Sequence, residues 1–145
     1  MHADTLVLGY YEYTAHFATV NQLLFSRFWG YGPSVWMDMD DRMSFQIGHF
    51  HWIASIALAL AAAAIIIKHK KNKDTLNKAL IVLFFVAVGW FAAFMTHNKS
   101  TVIWQAITPI KFVQFPWRFL TLVIFGFSFV VGWLANILPK KFAVP

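Results

Sequence analysis

Residues 53–67 read Ile53-Ala-Ser-Ile-Ala-Leu-Ala-Leu-Ala-Ala-Ala-Ala-Ile-Ile-Ile67, and the next residues are Lys68-His-Lys-Lys-Asn-Lys73. An uncharged run that stops at a cluster of lysines is the pattern of a helix leaving a bilayer for water. Extended back to Ile47, the block covers 47–67, and twenty-one residues at about 1.5 Å of rise give roughly 31 Å, the thickness of a hydrocarbon core. Two similar blocks follow. Leu76 to Met95 carries its strongly polar residues, Asn77 and Lys78, at its beginning, and Trp117 to Leu138 has Arg118 at its mouth and then only Thr121, Ser128 and Asn136 as polar members. Helices buried in a soluble core keep a polar face, and none is present over these lengths. The expectation is an all-α integral membrane fold with three transmembrane helices over 47–67, 76–95 and 117–138, and the lipid bilayer as its principal partner.

Composition agrees. Hydrophobic residues make up 59% of the 145-residue chain and charged ones 12%, where soluble domains have about 25% charged residues. The chain has no cysteine, which excludes disulfides, thiolate metal sites and cysteine nucleophiles. A net charge of +6 suggests nucleic acid in a soluble protein, but five of the lysines lie in the Lys68–Lys78 loop, where topology accounts for them. By the positive-inside rule that loop is cytoplasmic, as is the C-terminus with Lys140 and Lys141. No nucleic-acid partner is expected. The 96–116 connection, which holds only Lys99 and Lys111, and the first 46 residues should face outward.

Neither outward segment reads as a free loop. Residues 14–29 place Phe17, Val20, Leu24 and Phe28 on one helical stripe, as in a short helix lying on the membrane or packed on its neighbours. Residues 101–116 are apolar but broken by Pro109 and Pro116, as in an interfacial or re-entrant stretch, which needs protein or water to line it. Nothing in the sequence is expected to supply that lining. Trp52, Trp90, Trp117 and Trp133 lie near the span boundaries, as anchoring rings do. Ala54, Ala57, Ala61 and Ala64 give the first span a smooth face for a further helix to approach. The 1–46 segment has no signal-peptide pattern, so upstream spans are expected to be missing.

Gln114-Phe-Pro-Trp-Arg-Phe119 leading into a span, with His16-Phe17, Asn21-Gln-Leu-Leu-Phe-Ser-Arg-Phe-Trp-Gly-Tyr-Gly32 and Met43-Ser-Phe-Gln-Ile-Gly48, resembles the bacterial polytopic membrane proteins that carry the 6-pyruvoyl-tetrahydropterin-synthase-related domain. The resemblance covers most of the chain. It implies an internal fragment of a longer protein of the bacterial plasma membrane, similar to the GT-C glycosyltransferases that use lipid-phosphate-linked sugars at the outer face. Nothing resembles a soluble pterin site. Where the family has a glycine-containing turn before Met43, this chain has Asp38-Met-Asp-Asp-Arg42. The catalytic carboxylate of such enzymes belongs to an outward loop expected to be absent, so the catalytic residue is unassigned.

The candidate chemistry is sparse. Arg118 beside Pro116 and Trp117, at the outer mouth of a span, either clamps a polyprenyl-phosphate sugar in two-point fashion, with Gln114 and Trp117 lining the cavity, or snorkels to the headgroups. Asp38, Asp40 and Asp41 either hold a divalent cation or form a solvated turn. His49 and His51 point apart on a helix and together only on a strand. The alternative to a transferase fragment is a non-catalytic membrane module of a transporter or scaffold. Transport would favour ionisable residues in mid-span, and the sequence has none.

Overall fold

The computed structural model describes residues 12–34 and 41–133, and among them the fold is all-helical with no strand. The described residues form five α-helices: α1 (Val20–Leu24), α2 (His49–Lys68), α3 (Lys73–Met95), α4 (Thr101–Ala106) and α5 (Leu120–Trp133). Short 3-10 helices lie at Tyr13–His16, Asn98–Ser100, Thr108–Val113 and Pro116–Phe119. Three helical stretches are long and apolar enough to cross a bilayer: His49–Lys68, Lys73–Met95 and Pro116–Trp133. The expected three spans are therefore present, each within a few residues of its predicted start, and residues 134–138 of the third lie outside the described part. The chain divides into two compact units.

One unit comprises residues 48–91 and the chain after 121. Each long helix turns one narrow stripe inward: Ser55, Leu58 and Ala62 on α2, Ala79, Val82 and Val86 on α3, and Val123, Gly126, Phe127 and Val130 on α5. Spacings of three and four residues put each set on one face. The tightest approach is between α3 and α5. A Cβ added to Gly126 would lie 2.9 Å from the Phe85 carbonyl oxygen and 3.5 Å from the Gly89 Cα, so two glycines let the backbones touch. Within this unit the partner helices meet Ser55, Leu58 and Ala62, and Ala57, Ala61 and Ala64 of the smooth alanine face are left exposed. Ser55 is fully enclosed, donating to the Trp52 carbonyl at 2.7 Å and accepting from Trp90 Nε1 at 3.1 Å. Only 17% of the α2 window is buried within the protein, against 39% for α3 and 28% for the third stretch, so most of the apolar surface is left for lipid or other helices. Residues 69–72 join α2 to α3, and an exposed Lys78–Asp74 pair at 2.6 Å lies in the first turns of α3.

The second unit collects both segments expected to face outward, residues 1–47 and 92–121. Its core is Trp104, fully buried with Phe17 and Met95 and surrounded by Tyr13, Ile103, Ile110, Val113 and Phe119. Tyr13 stacks on the indole at 5.1 Å and Phe17 meets it edge-on at 6.1 Å. The N-terminal segment thus lines the 101–116 stretch, which corrects the expectation that the chain holds no lining for it.

The helix expected over 14–29 is also corrected. The Ala18 amide donates to the Thr96 carbonyl at 2.9 Å, and Ala18 forms a parallel bridge with His97, so residues 17–19 are extended. Helix α1 then starts afresh behind a capping box, in which the Thr19 hydroxyl accepts from the Gln22 amide and Gln22 Oε1 from the Thr19 amide. Within the expected stripe Phe17 is buried and Val20 and Phe28 are exposed, while Gln22 and Leu23, outside it, are buried.

Candidate functional site

The sequence-predicted site residues Gln114, Trp117 and Arg118 come together in one bend of the second unit. Residues 108–113 form a 3-10 turn opened by Pro109, and Pro116 opens the next. Between them Gln114 has φ 66° and ψ −48°, and the Phe115 amide donates back to the Val113 carbonyl at 2.7 Å. That is a γ-turn with positive φ, a rare and strained conformation for a residue with a side chain. Strain of about 1–3 kcal/mol persists only where the surroundings over-determine it.

Arg118 helps to determine it. One guanidinium nitrogen, Nη1, donates to the same Val113 carbonyl at 3.0 Å, and the group lies over the Phe115 ring at 5.1 Å from its centroid. A cation over an aromatic face is attracted by the ring quadrupole. The side chain is exposed, and among the described residues it makes no ion pair. A guanidinium carries five N–H donors in a planar fork. With one engaged, the others remain for an anion. Snorkelling alone does not account for this placement, since the group is folded back onto its own turn.

Trp117 is expected as a boundary anchor, but its Nε1 donates inward to Ser34 Oγ at 3.2 Å, and its ring stacks on Phe115 at 5.5 Å. Trp90, bonded to Ser55, is likewise tied within the fold. Ser34 is buried and also meets His16, whose Nδ1 is 2.6 Å from the Ser34 carbonyl and 2.7 Å from its hydroxyl. His16 in turn packs edge-on against Phe115 at 4.8 Å. Phe115 is therefore touched by His16, Trp117 and Arg118. Sequence reading missed Ser34 and Val113, and no local signal points to them: Ser34 is 83 positions from Trp117, and Val113 acts through its backbone.

Of the three aspartates, Asp38 and Asp40 lie outside the described residues. Asp41 accepts from Gln22 Nε2 at 3.0 Å and from the Ser26 hydroxyl, so both of its oxygens join the turn to α1. Among the described residues no group of three His, Asp or Glu could hold a metal ion. His49 and His51 both lie in the first turn of α2 and so point apart. A groove of about 380 Å³ is lined by Trp29, Gly30, Tyr31, Ser44 and Gln46, with both aromatic rings almost wholly exposed.

No family model, curated protein or solved structure matches this chain.

Proposed function

We propose that this chain is a membrane module of a polytopic transferase of the GT-C type in a bacterial plasma membrane, and that Arg118 holds the phosphate of a polyprenyl-phosphate-linked sugar. The observation that carries the proposal is an exposed guanidinium, without a carboxylate partner among the described residues, held over Phe115 and against Val113 at the start of an apolar span. A planar fork suits a phosphate that arrives at headgroup depth on a lipid tail. Gln114 and Trp117 shape the bend that presents it. In this reading the unit holding Arg118 is outside and the Lys68–Lys78 loop is in the cytoplasm. Further helices of a parent protein cover part of the apolar surface left on α2. A transporter or scaffold module lacks a comparable supporting observation, since no ionisable residue sits in mid-span.

The test is binding of labelled polyprenyl phosphate to the full chain in phosphatidylcholine nanodiscs. Saturable binding is expected, weakened roughly ten- to a hundredfold by Arg118→Ala, the range for a charge-assisted hydrogen bond of about 1.5–3 kcal/mol. Arg118→Lys should recover little of it, because an ammonium keeps the charge without the fork. Unchanged binding by a folded Arg118→Ala protein would remove the role.

A further inference from the structure

We propose that His16 belongs to the same site, and that its Nε2 accepts a hydrogen bond from a hydroxyl of the ligand whose phosphate Arg118 holds. This inference rests on the assignment of Arg118 as the phosphate-binding group. It starts from the tautomer. His16 Nδ1 is 2.6 Å from the Ser34 carbonyl oxygen, which can only accept, so Nδ1 carries the hydrogen. The Ser34 hydroxyl, 2.7 Å from the same nitrogen, also receives the Trp117 Nε1–H. Three segments of chain thus hold the hydrogen on Nδ1, and in that tautomer the ring lone pair lies on Nε2.

His16 is partly buried, and among the described residues no hydrogen bond engages its Nε2. The imidazole and the Arg118 guanidinium contact one and the same ring, Phe115, at 4.8 and 5.1 Å.

The pair selects a chemistry. A lone-pair acceptor repels the oxygens of an ionised phosphate and takes a donor instead. The ligand that satisfies both groups is a phosphate ester with a hydroxyl close to the phosphorus. A polyprenyl-phosphate hexose has that arrangement, and so does a hydroxylated lipid headgroup such as phosphatidylglycerol. We assign the site to the sugar. His16 is then a binding residue that orients the sugar.

The experiment is displacement of labelled polyprenyl phosphate from the full chain in phosphatidylcholine nanodiscs by unlabelled polyprenyl phosphate, polyprenyl-phosphate hexose or phosphatidylglycerol. The parental protein should favour the hexose-bearing lipid over the bare phosphate by roughly three- to tenfold, as for one neutral hydrogen bond. In His16→Asn the side-chain amide can still donate to Ser34 but has no counterpart of Nε2. That preference should disappear while affinity for bare polyprenyl phosphate is retained, which also reports that the site is folded. His16→Phe, which keeps a ring against Phe115 without either nitrogen, should behave likewise. Equal affinities in the parental protein, or a preference that survives both substitutions, would overturn the role of His16. Displacement by phosphatidylglycerol as effective as by the phosphosugar would overturn the sugar assignment. Failure of the underlying Arg118 reading would show separately, as absence of saturable binding of the bare phosphate, and would take this inference with it.

Discussion

The glycine contact between α3 and α5 gives the sharpest test of the packing. Replacing Gly126 by alanine puts a Cβ 2.9 Å from the Phe85 carbonyl oxygen and 3.4 Å from the Gly89 nitrogen. Carbon–oxygen contacts of this kind settle at about 3.3–3.6 Å, so α5 must retreat by roughly half an ångström, and the obstacle is backbone that cannot rotate aside. A gap of that size forfeits about a quarter to a half of the dispersion well for the atoms left facing it, here including Phe127 against Trp90 and Val130 against Val82 and Val86. Overpacking costs about 1–3 kcal/mol, and the better helix propensity of alanine returns about 0.8–1.0 kcal/mol. Gly126→Ala should therefore destabilise by about 1 kcal/mol, and Gly126→Val, with two more methyl groups, by about 3 kcal/mol. Gly132 in the same helix has nothing within 4 Å of an added Cβ, so Gly132→Ala should stabilise by up to about 1 kcal/mol. The assay is the temperature at which half of the full chain is lost from its monodisperse peak in mild detergent. If Gly126→Val resists heat as the parent does, or Gly132→Ala falls together with Gly126→Ala, the close approach is refuted.

Trp104→Ala should destabilise the outward unit by about 3–5 kcal/mol, because the indole is fully buried and donates to the Met95 carbonyl at 3.2 Å; limited proteolysis should then cut within 12–34 or 96–121 and spare the long helices. Burial, and secondarily Lys99, hold the His97 imidazole below its ordinary 6.5, and its Nδ1 accepts from the Lys99 amide at 3.2 Å. The unfolded chain therefore takes up the proton more readily, so heat resistance should be level above about pH 6.5, fall as the pH drops through 6.5 to the folded value, and level off below it; His97→Asn, which keeps a capping acceptor, should remove that dependence. For the topology, Gln105→Cys and Asn21→Cys should react with an impermeant thiol reagent in intact cells, whereas Asn72→Cys should react only after lysis; the reverse pattern would invert the orientation.

The spans were legible because the bilayer imposes a length and an absence of charge that need no partner to be seen. Ile53–Ile67 and the lysines after it suffice for the first. What faces what was not legible. The alanines at 54, 57, 61 and 64 have helical spacing and small side chains, yet the close contact went to Gly89 and Gly126, single glycines 37 positions apart, where removal of the last side-chain carbon lets backbones touch. The outward segments were misread for a related reason. Periodicity over 14–29 suggested one helix, but the backbone of Ala18 finds its partner in Thr96, and a long-range hydrogen bond leaves no trace in local sequence.

The bend at 114–118 shows the same division within a single motif. Its proline and its arginine could be read, because both carry their constraint in the side chain. The γ-turn could not, since Gln114 is not the glycine that a positive φ favours. What holds Gln114 there is assembled from elsewhere: Arg118 and the Phe115 amide converge on the Val113 carbonyl, while Phe115 is fixed by His16, Trp117 and the guanidinium itself. Arg118 thereby supports the turn that presents it. A cation serving only as a membrane anchor would need no such preorganisation, because water and headgroups solvate it in any rotamer. A cation that must meet a phosphate with a defined direction gains from it, since each rotamer fixed in advance is entropy not lost on binding.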